Sequence, residues 1–451
     1  MEKNRGSFTG RLGFVLAAAG SAVGLGNLWR FPYLAAQYGG GIFILVYIIL
    51  ALTFGFALMV TEIAIGRKTK LSPILAYGKV DKKFSFLGYI ATIVPVLILP
   101  YYSVIGGWVL KYVGVYIKGL GHAASSNTFF SGFISETAEP LVFTVVFLLL
   151  TAVIVIFGVE KGIEKASKVL MPVLVVLIIG ISIYVLTLPG ALEGVKYYLI
   201  PDFSKFGFKT ICAAMGQLFY SMSLAMGIMI TYGSYTKDKI SLGKAVNQIE
   251  IFDTFIALFA GLMIIPAIYA FSGAKGLTAS GAGLMFVSLP KIFGQMAGGG
   301  IIGLAFFILV LFAALTSSVS IMEAIVSCFM DKFKIKRITA CLICLGTSLL
   351  LAVPSSLGYG LWESVHIIGM DFLTFFDYIS NSVLMPIVAF CTVILIGWKV
   401  GTKYVVDEVV KNGETFRRQK IYEVMTKYIA PVLLVTILVF YTLMAFGIVQ
   451  V

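Results

Sequence analysis

The sequence predicts an all-α, polytopic membrane protein, and three observations predict it. The 451-residue chain is 59% hydrophobic and only 12% charged, with a mean hydropathy of +1.00, far more apolar than a water-soluble globular chain. Its apolar runs recur at lengths of roughly 20 to 30 residues, which is what a helix needs to cross a hydrocarbon core about 30 Å thick. Its cations fall almost entirely in alternate connections between those runs. One continuous membrane domain follows, rather than the two or three soluble domains that length alone would allow.

Taken in order, the apolar windows and their flanks place helices near 11–34, 39–66, 85–117, 141–158, 163–187, 210–234, 243–272, 301–331, 337–353, 372–398 and 428–449, about 11 transmembrane helices. With a cytoplasmic N-terminus, the N-terminal tail and the even-numbered connections hold 26 of the 34 Lys and Arg residues, the other side holds seven, and Arg30 lies within span one. That asymmetry predicts a multi-pass protein of the cell inner (plasma) membrane, N-terminus inside and C-terminus outside. It also accounts for the net charge of +13 without a nucleic-acid partner, and makes membrane lipids the expected surroundings. Met1 to Thr9 is short and polar and leads to no small-residue cleavage site, so span one is expected to be its own insertion signal. Cys212, Cys328, Cys341, Cys344 and Cys391 sit in or beside apolar runs without metal-ligand spacing, and His122 and His366 are the only histidines. Disulfides, zinc chemistry and an organic cofactor are therefore not expected. An intramembrane enzyme would need a nucleophile with a base, or a metal cluster, and the sequence offers neither.

Two spans depart from helix-forming composition at mid-membrane. Span one contains Gly20-Ser21-Ala22-Val23-Gly24-Leu25-Gly26-Asn27, and span six contains Ser221-Met222-Ser223-Leu224-Ala225-Met226-Gly227. Each glycine costs about 1 kcal/mol against alanine in a helix interior. Close packing through small residues accounts for one such segment. A pair five helices apart instead suggests two repeats, about 10–187 and 210–398, with an additional helix at about 428–449 and a binding site where the two breaks meet.

The stretch from Arg11 to Arg67 carries the most specific signal. Gly24-Leu25-Gly26-Asn27-Leu28-Trp29-Arg30-Phe31-Pro32-Tyr33, then Gly39-Gly40-Gly41 and Thr61-Glu62-Ile63-Ala64-Ile65-Gly66-Arg67, resembles the signature of the neurotransmitter:sodium symporters. Tyr101-Tyr102, Gly216-Gln217-Leu218-Phe219-Tyr220-Ser221 and Leu315-Thr316-Ser317-Ser318 extend the resemblance over essentially the whole chain. Eleven spans, where many relatives have twelve, make it similar to the shorter bacterial members, including those for tyrosine and other hydrophobic amino acids. The resemblance implies inverted five-helix repeats, helices one and six unwound, and sodium-coupled symport of an amino acid into the cell by alternating access. A receptor or channel without coupled transport, and a sodium-coupled osmolyte transporter, are the alternatives. The oligomeric state is left open.

By the same resemblance, two Na+ sites are expected. Sodium is a hard cation that trades its hydration shell for carbonyl, hydroxyl and amide oxygens. One site would use the carbonyls of Gly20, Val23 and Ala313 with the hydroxyls of Thr316 and Ser317; hydroxyls bonding back to their own helix are the alternative. The other would use the carbonyl of Ala22, the side-chain oxygen of Asn27, Ser221, Asp253 and the carboxylate of the substrate, so that ion and substrate bind as a unit. Asp253 stands where chloride-dependent relatives carry asparagine, and Ala257 stands where they carry serine one turn later. With Tyr47, Gln217 and Ser221 expected nearby, its carboxylate is implied as a fixed substitute for chloride, the alternative being a solvated residue near the end of its span.

Relatives that carry amines place an aspartate at the position of Gly24, so its absence implies an amino-acid substrate. The half-helix beginning near Leu25 and Gly26 would offer N–H groups to the carboxylate, aided by the Tyr102 hydroxyl. Carbonyls of Ala22, Tyr220 and Ser221 and the Ser223 hydroxyl would meet the amine. Ile98, Tyr102, Tyr220, Met226, Ser318 and Ile321 would enclose the side chain, and their apolar character implies a hydrophobic or aromatic one. Arg30 with Asp377, or alternatively Asp371, would close the outside; Arg5 with Asp331 would close the inside, aided by Tyr235. Lys332, Lys334, Lys336 and Arg337 read as a basic flank, and Glu62 is expected to accept backbone N–H groups of unwound span six.

Overall fold

The computed structural model describes residues 6–278 and 281–448. Its elements are helices joined by turns, with no strand among the described residues. Among the described residues, nine helices are long and apolar enough to cross a membrane: Gly41–Thr69, Lys82–Ile117, Ala138–Ile156 and Val159–Leu186 as spans two to five, and Leu242–Ser272, Gly299–Phe333, Arg337–Leu357, Phe372–Lys399 and Gln419–Ala445 as spans seven to eleven. Span one is a broken pair, Arg11–Ala22 and Gly26–Gln37, bent by 52°. Span six is a second pair, Phe208–Ser221 and Ile228–Ser234, too short singly to cross. The two interrupted elements thus fall five apart, as expected.

Most boundaries agree to within a few residues. Span eleven begins at Gln419 rather than near 428. Its first turns carry Lys420, Glu423 and Lys427, which remove them from an apolar window, yet Tyr422 is fully buried, 3.1 Å from the Thr61 hydroxyl and packed on Phe416. Packing, not composition, starts that helix. Short helices in the connections, such as Phe129–Ser135, Ala191–Leu199 and Lys403–Val409, were not expected, because none is long enough to register as an apolar run.

Span four turns Val142, Val145, Leu149 and Val153 outward, an apolar face that only lipid covers without cost. Span three is the opposite case, with most of its length buried. It packs against spans four, eight, nine and ten and presents Ile98, Tyr101 and Tyr102 to the middle of the bundle. Backbone groups cannot go unpaired in hydrocarbon, so the two breaks are tolerated only because other helices surround them.

Candidate functional site

In span one the backbone turns extended at Val23 and helical turns resume at Gly26. Span six stops at Ser221 and resumes at Ile228. Between them, Ser223 and Ala225 hold φ of 52° and 60°, left-handed values that residues with a Cβ adopt only when their surroundings impose them. Those surroundings are visible. The Ser223 hydroxyl donates to the Ser21 carbonyl at 2.9 Å, and the Ser21 hydroxyl lies 3.0 Å from Ser223 Oγ, lacing one break to the other. The Ala225 N–H donates to Glu62 Oε1 at 2.7 Å, the role expected of Glu62, here toward one N–H group.

A cavity with about 360 Å³ of atom-free space lies between the breaks. Ala22, Leu25, Gly26, Ile98, Tyr102, Tyr220, Ser223, Met226 and Ile321 line it, all of them expected. Two expected residues do not. Ser221 turns its hydroxyl to Asp253, and Ser318 turns its own to the Leu315 carbonyl at 3.0 Å and to Thr151 of span four at 2.8 Å. Successive helical residues point about 100° apart, so with Ser317 facing the break Ser318 must face away. Sequence reasoning missed Ser21 and Asn381 as lining residues. Asn381 lies one turn beyond Asp377 on span ten, and that spacing was the available signal. Gly24 lines the cavity too, and a Cβ there would sit 2.7 Å from Ser317 Oγ and 3.2 Å from the Tyr102 hydroxyl. A Cβ at Gly26 would run into the Tyr220 ring. Both glycines are what lets the wall close.

Below the cavity, oxygens converge. Ser317 Oγ lies 3.4, 3.1 and 3.3 Å from the carbonyls of Gly20, Ser21 and Val23. The Thr316 hydroxyl bonds back to the Phe312 and Ala313 carbonyls at 3.0 and 3.1 Å, while its side chain lies against Gly20. A set of carbonyls and hydroxyls with no carboxylate suits a hard monovalent cation.

The second cluster is built around a charge. Asp253 is fully buried, which excludes the solvated alternative. Its Oδ1 accepts from Ser221 Oγ at 2.5 Å and from Asn27 Nδ2 at 2.8 Å, and its Oδ2 from the Tyr47 hydroxyl at 2.7 Å. Three donors are the compensation a buried carboxylate needs. The oxygen of Asn27 accepts from the Gly24 N–H at 3.2 Å. Gln217, expected beside Asp253, donates to the Gly26 carbonyl at 3.0 Å, an acceptor it shares with the Phe31 N–H.

Closures at the two ends differ from expectation. Among the described residues, Arg30 and Asp377 form no ion pair within 4 Å; the Arg30 guanidinium sits 5.6 Å from the centre of the Tyr220 ring. Asp377 Oδ1 accepts from Asn381 Nδ2 at 2.6 Å and from the Tyr101 hydroxyl at 3.1 Å. Asp371, the alternative gate acid, caps span ten by accepting from the N–H and hydroxyl of Thr374. At the N-terminal face, Arg5 lies outside the described residues, and Asp331 accepts from the Ser72 N–H at 2.8 Å. The Tyr235 hydroxyl donates to Glu323 Oε1 at 2.6 Å, and Arg337 grips both oxygens of Glu323 at 2.6 and 2.8 Å. Arg337 is therefore a partner of a buried carboxylate rather than part of a basic flank. Glu323 escaped notice because it sits inside the 35-residue apolar helix of span eight. Nearby, Phe8 packs on Tyr232 and Tyr235, Arg67 pairs with Glu408 at 2.6 Å, and Arg418 with Glu250 at 2.6 Å.

Comparison with known proteins gives concordant results. The sodium:neurotransmitter symporter family matches residues 5–140 and 130–447. The chain is 34% identical over 439 residues to YhdH of Bacillus subtilis (strain 168), an uncharacterized sodium-dependent transporter, over 95% of each chain. It is 32% identical over 456 residues to an uncharacterized sodium-dependent transporter of Haemophilus influenzae, over 97% of this chain and 98% of that one. A crystal structure of MhsT in complex with L-phenylalanine is similar at a TM-score of 0.88 and 37% identity, covering 97% of this chain and 99% of that one.

Proposed function

Because the chain belongs to the sodium:neurotransmitter symporter family, whose members are sodium-coupled membrane transporters and not enzymes, we propose that it carries a hydrophobic or aromatic amino acid into the cell together with sodium and without chloride. The cavity between the two helix breaks carries this reading: backbone of residues 22–26 forms one side, and Ile98, Met226 and Ile321 form an apolar side suited to such a side chain. The phenylalanine bound to MhsT supports the same substrate class.

In this reading the substrate carboxylate meets the N–H groups at Leu25 and Gly26 and the Tyr102 hydroxyl. Its amine meets the Ala22, Tyr220 and Ser221 carbonyls and the Ser223 hydroxyl. One sodium ion binds among the carbonyls of Gly20, Val23 and Ala313 with Thr316 and Ser317. A second binds with Ala22, Asn27, Ser221, Asp253 and the substrate carboxylate. Contact between that ion and the carboxylate couples the two, since each lowers the cost of taking the other from water. Asp253 supplies the negative charge that chloride would otherwise bring; its burial among Ser221, Asn27 and Tyr47 supports that role.

The whole chain acts as one transporter domain, with repeats at about 10–187 and 210–398 and an additional helix at about 428–449. Spans one, two, six and seven rock against three, four, eight and nine. The N-terminal face is cytoplasmic in the inner membrane, closed by Asp331 with Arg5 and by Tyr235; the opposite face is closed by Arg30, Tyr220 and Asp377. The test is uptake of radiolabelled tyrosine and leucine into proteoliposomes, with sodium replaced by potassium and chloride by gluconate in separate arms. Sodium-dependent, chloride-indifferent uptake is expected. Uptake that survives without sodium refutes the coupling, and uptake lost with chloride refutes the role of Asp253.

A further inference from the structure

One wall of the cavity belongs to span ten, which no part of the substrate reading above uses. Asn381 stands there in a closed triangle with Tyr101 and Asp377. A carboxylate only accepts hydrogen bonds, so Asp377 Oδ1 must face the NH2 end of the Asn381 amide, 2.6 Å away. The second amide hydrogen goes to the Tyr101 oxygen at 2.9 Å, and the Tyr101 O–H goes on to Asp377 at 3.1 Å. Every donor in the triangle is thereby used, and the orientation of the amide is fixed by chemistry. What remains is Asn381 Oδ1, a buried acceptor with no hydrogen-bond partner, on a residue that lines the cavity.

A buried acceptor left unpaired is costly, and a site that offers one discriminates strongly between ligands that can and cannot fill it. The carboxylate and amine of the substrate are already assigned to spans one, three and six. That leaves the side chain as the part of the substrate free to meet span ten. We propose that Asn381 is a specificity-determining residue, its Oδ1 accepting a hydrogen bond from an amino acid whose apolar side chain ends in a donor. The class is the phenol of tyrosine or the indole of tryptophan, in preference to phenylalanine. This rests on the substrate reading above and sharpens it. No donor within the triangle is left for Oδ1, because the amide hydrogens of Asn381 and the Tyr101 hydroxyl are all engaged with one another and with Asp377.

The experiment is sodium-dependent binding of radiolabelled tyrosine and phenylalanine to the purified full chain in proteoliposomes, for the natural protein, Asn381→Leu and Tyr101→Phe. The natural protein is expected to bind tyrosine at least tenfold more tightly than phenylalanine. In Asn381→Leu that ratio falls to about one while phenylalanine affinity holds. In Tyr101→Phe, which loosens the triangle but keeps the acceptor, the ratio stays above one, so a merely structural role for Asn381 is separated from selection. A ratio near one in the natural protein overturns the proposal, as does a ratio unchanged in Asn381→Leu. If Asn381→Leu weakens both ligands equally, Oδ1 serves closure, for example toward Arg30, and the proposal falls. Absence of sodium-dependent binding of either amino acid overturns this proposal and the transport reading together; sodium-dependent binding with equal affinities overturns this proposal alone.

Discussion

The two ends of the broken-helix core handle charge in opposite ways. At the N-terminal face, acids and bases are joined and buried: Arg337 grips Glu323 at 2.6 and 2.8 Å, and Arg67 meets Glu408 at 2.6 Å. At the opposite end, Arg30 rests over the Tyr220 ring and Asp377 is held by Asn381 and Tyr101, with no ion pair within 4 Å between them. Pairs already made inside the protein are part of its framework. Charges kept near each other but satisfied by neutral partners suit the closure proposed above, which would be remade in every cycle. The difference separates residues that hold the fold from residues that time its movement, and it is open to attack at several points.

The largest effect is expected where a buried pair is broken. Glu323→Ala leaves the part-buried Arg337 guanidinium with the Val155 carbonyl but without its counter-charge, a change that costs at most about 3–5 kcal/mol, the range for fully buried pairs. The detergent-solubilised protein should lose thermal stability by several degrees. Glu323→Leu combined with Arg337→Met removes both charges and should recover most of the loss, since apolar replacement of a whole buried pair is often neutral. A double variant as unstable as the single one would mean that the pair organises the fold beyond its own electrostatics.

Next in size is Tyr235→Phe, which deletes one hydrogen bond to a charged acceptor while leaving Arg337 on Glu323. Such bonds contribute about 1.5–3 kcal/mol. Because Tyr235 follows span six and Glu323 belongs to span eight, the loss should also shift the protein toward opening at the N-terminal face. Faster labelling of a cysteine placed at Ser327, which borders the cavity there beside Tyr235, would report it. Unchanged labelling with lowered stability would assign the bond to the framework alone.

At the opposite end the balance reverses. Asp377→Asn removes charge without breaking an ion pair, and its stability change should stay within about 1 kcal/mol, the scale of exposed pairs and of cation–π contacts. Uptake should nevertheless fall by about tenfold or more, because the closure over Tyr220 can no longer engage Arg30. A large drop in stability with normal uptake would erase the distinction between the two ends.

Much of this was legible in the sequence, for physical reasons. A membrane forces helix lengths into the composition, so eleven elements and two interruptions could be read from apolar runs and glycines. Motif residues such as Ser317, Asn27 and Ser223 came from the family resemblance, and the structure sets them beside the two breaks. What escaped was set by helix rotation and by distance in sequence. Ser318 was assigned to the cavity because adjacency on the chain hides a turn of about 100°. Glu323 and Arg337 looked unrelated because one lies in an apolar helix and the other in a basic stretch, and only packing shows that each is the other's counter-charge. Asn381 carries no motif at all; its role comes from the oxygen its neighbours leave unpaired.

The smallest effect tests whether the N-terminal face owes its strength to burial rather than to the number of its ion pairs. Asp238, in the connection between spans six and seven, accepts from Lys70 and Lys411 at 2.9 Å each. These bonds hold its carboxyl down at about 2, below the usual carboxylate range. A carboxyl depressed in the folded state contributes stability at pH above its unfolded value of about 3.9, and that contribution disappears as pH falls from there toward 2. All three side chains are about half exposed, so solvent screens them and the contribution is about 0–1 kcal/mol. Asp238→Asn should therefore lower the thermal midpoint slightly, by the same amount from pH 8 to pH 5, and the gap should narrow as pH drops below 4. High salt, about 1 M, should shrink it at every pH, because the screening length falls to about 3 Å, while leaving the Glu323→Ala deficit largely intact. Should both deficits respond to salt alike, burial would not be what distinguishes the pairs at this face, and the contrast between framework and closure would have to be sought in geometry alone.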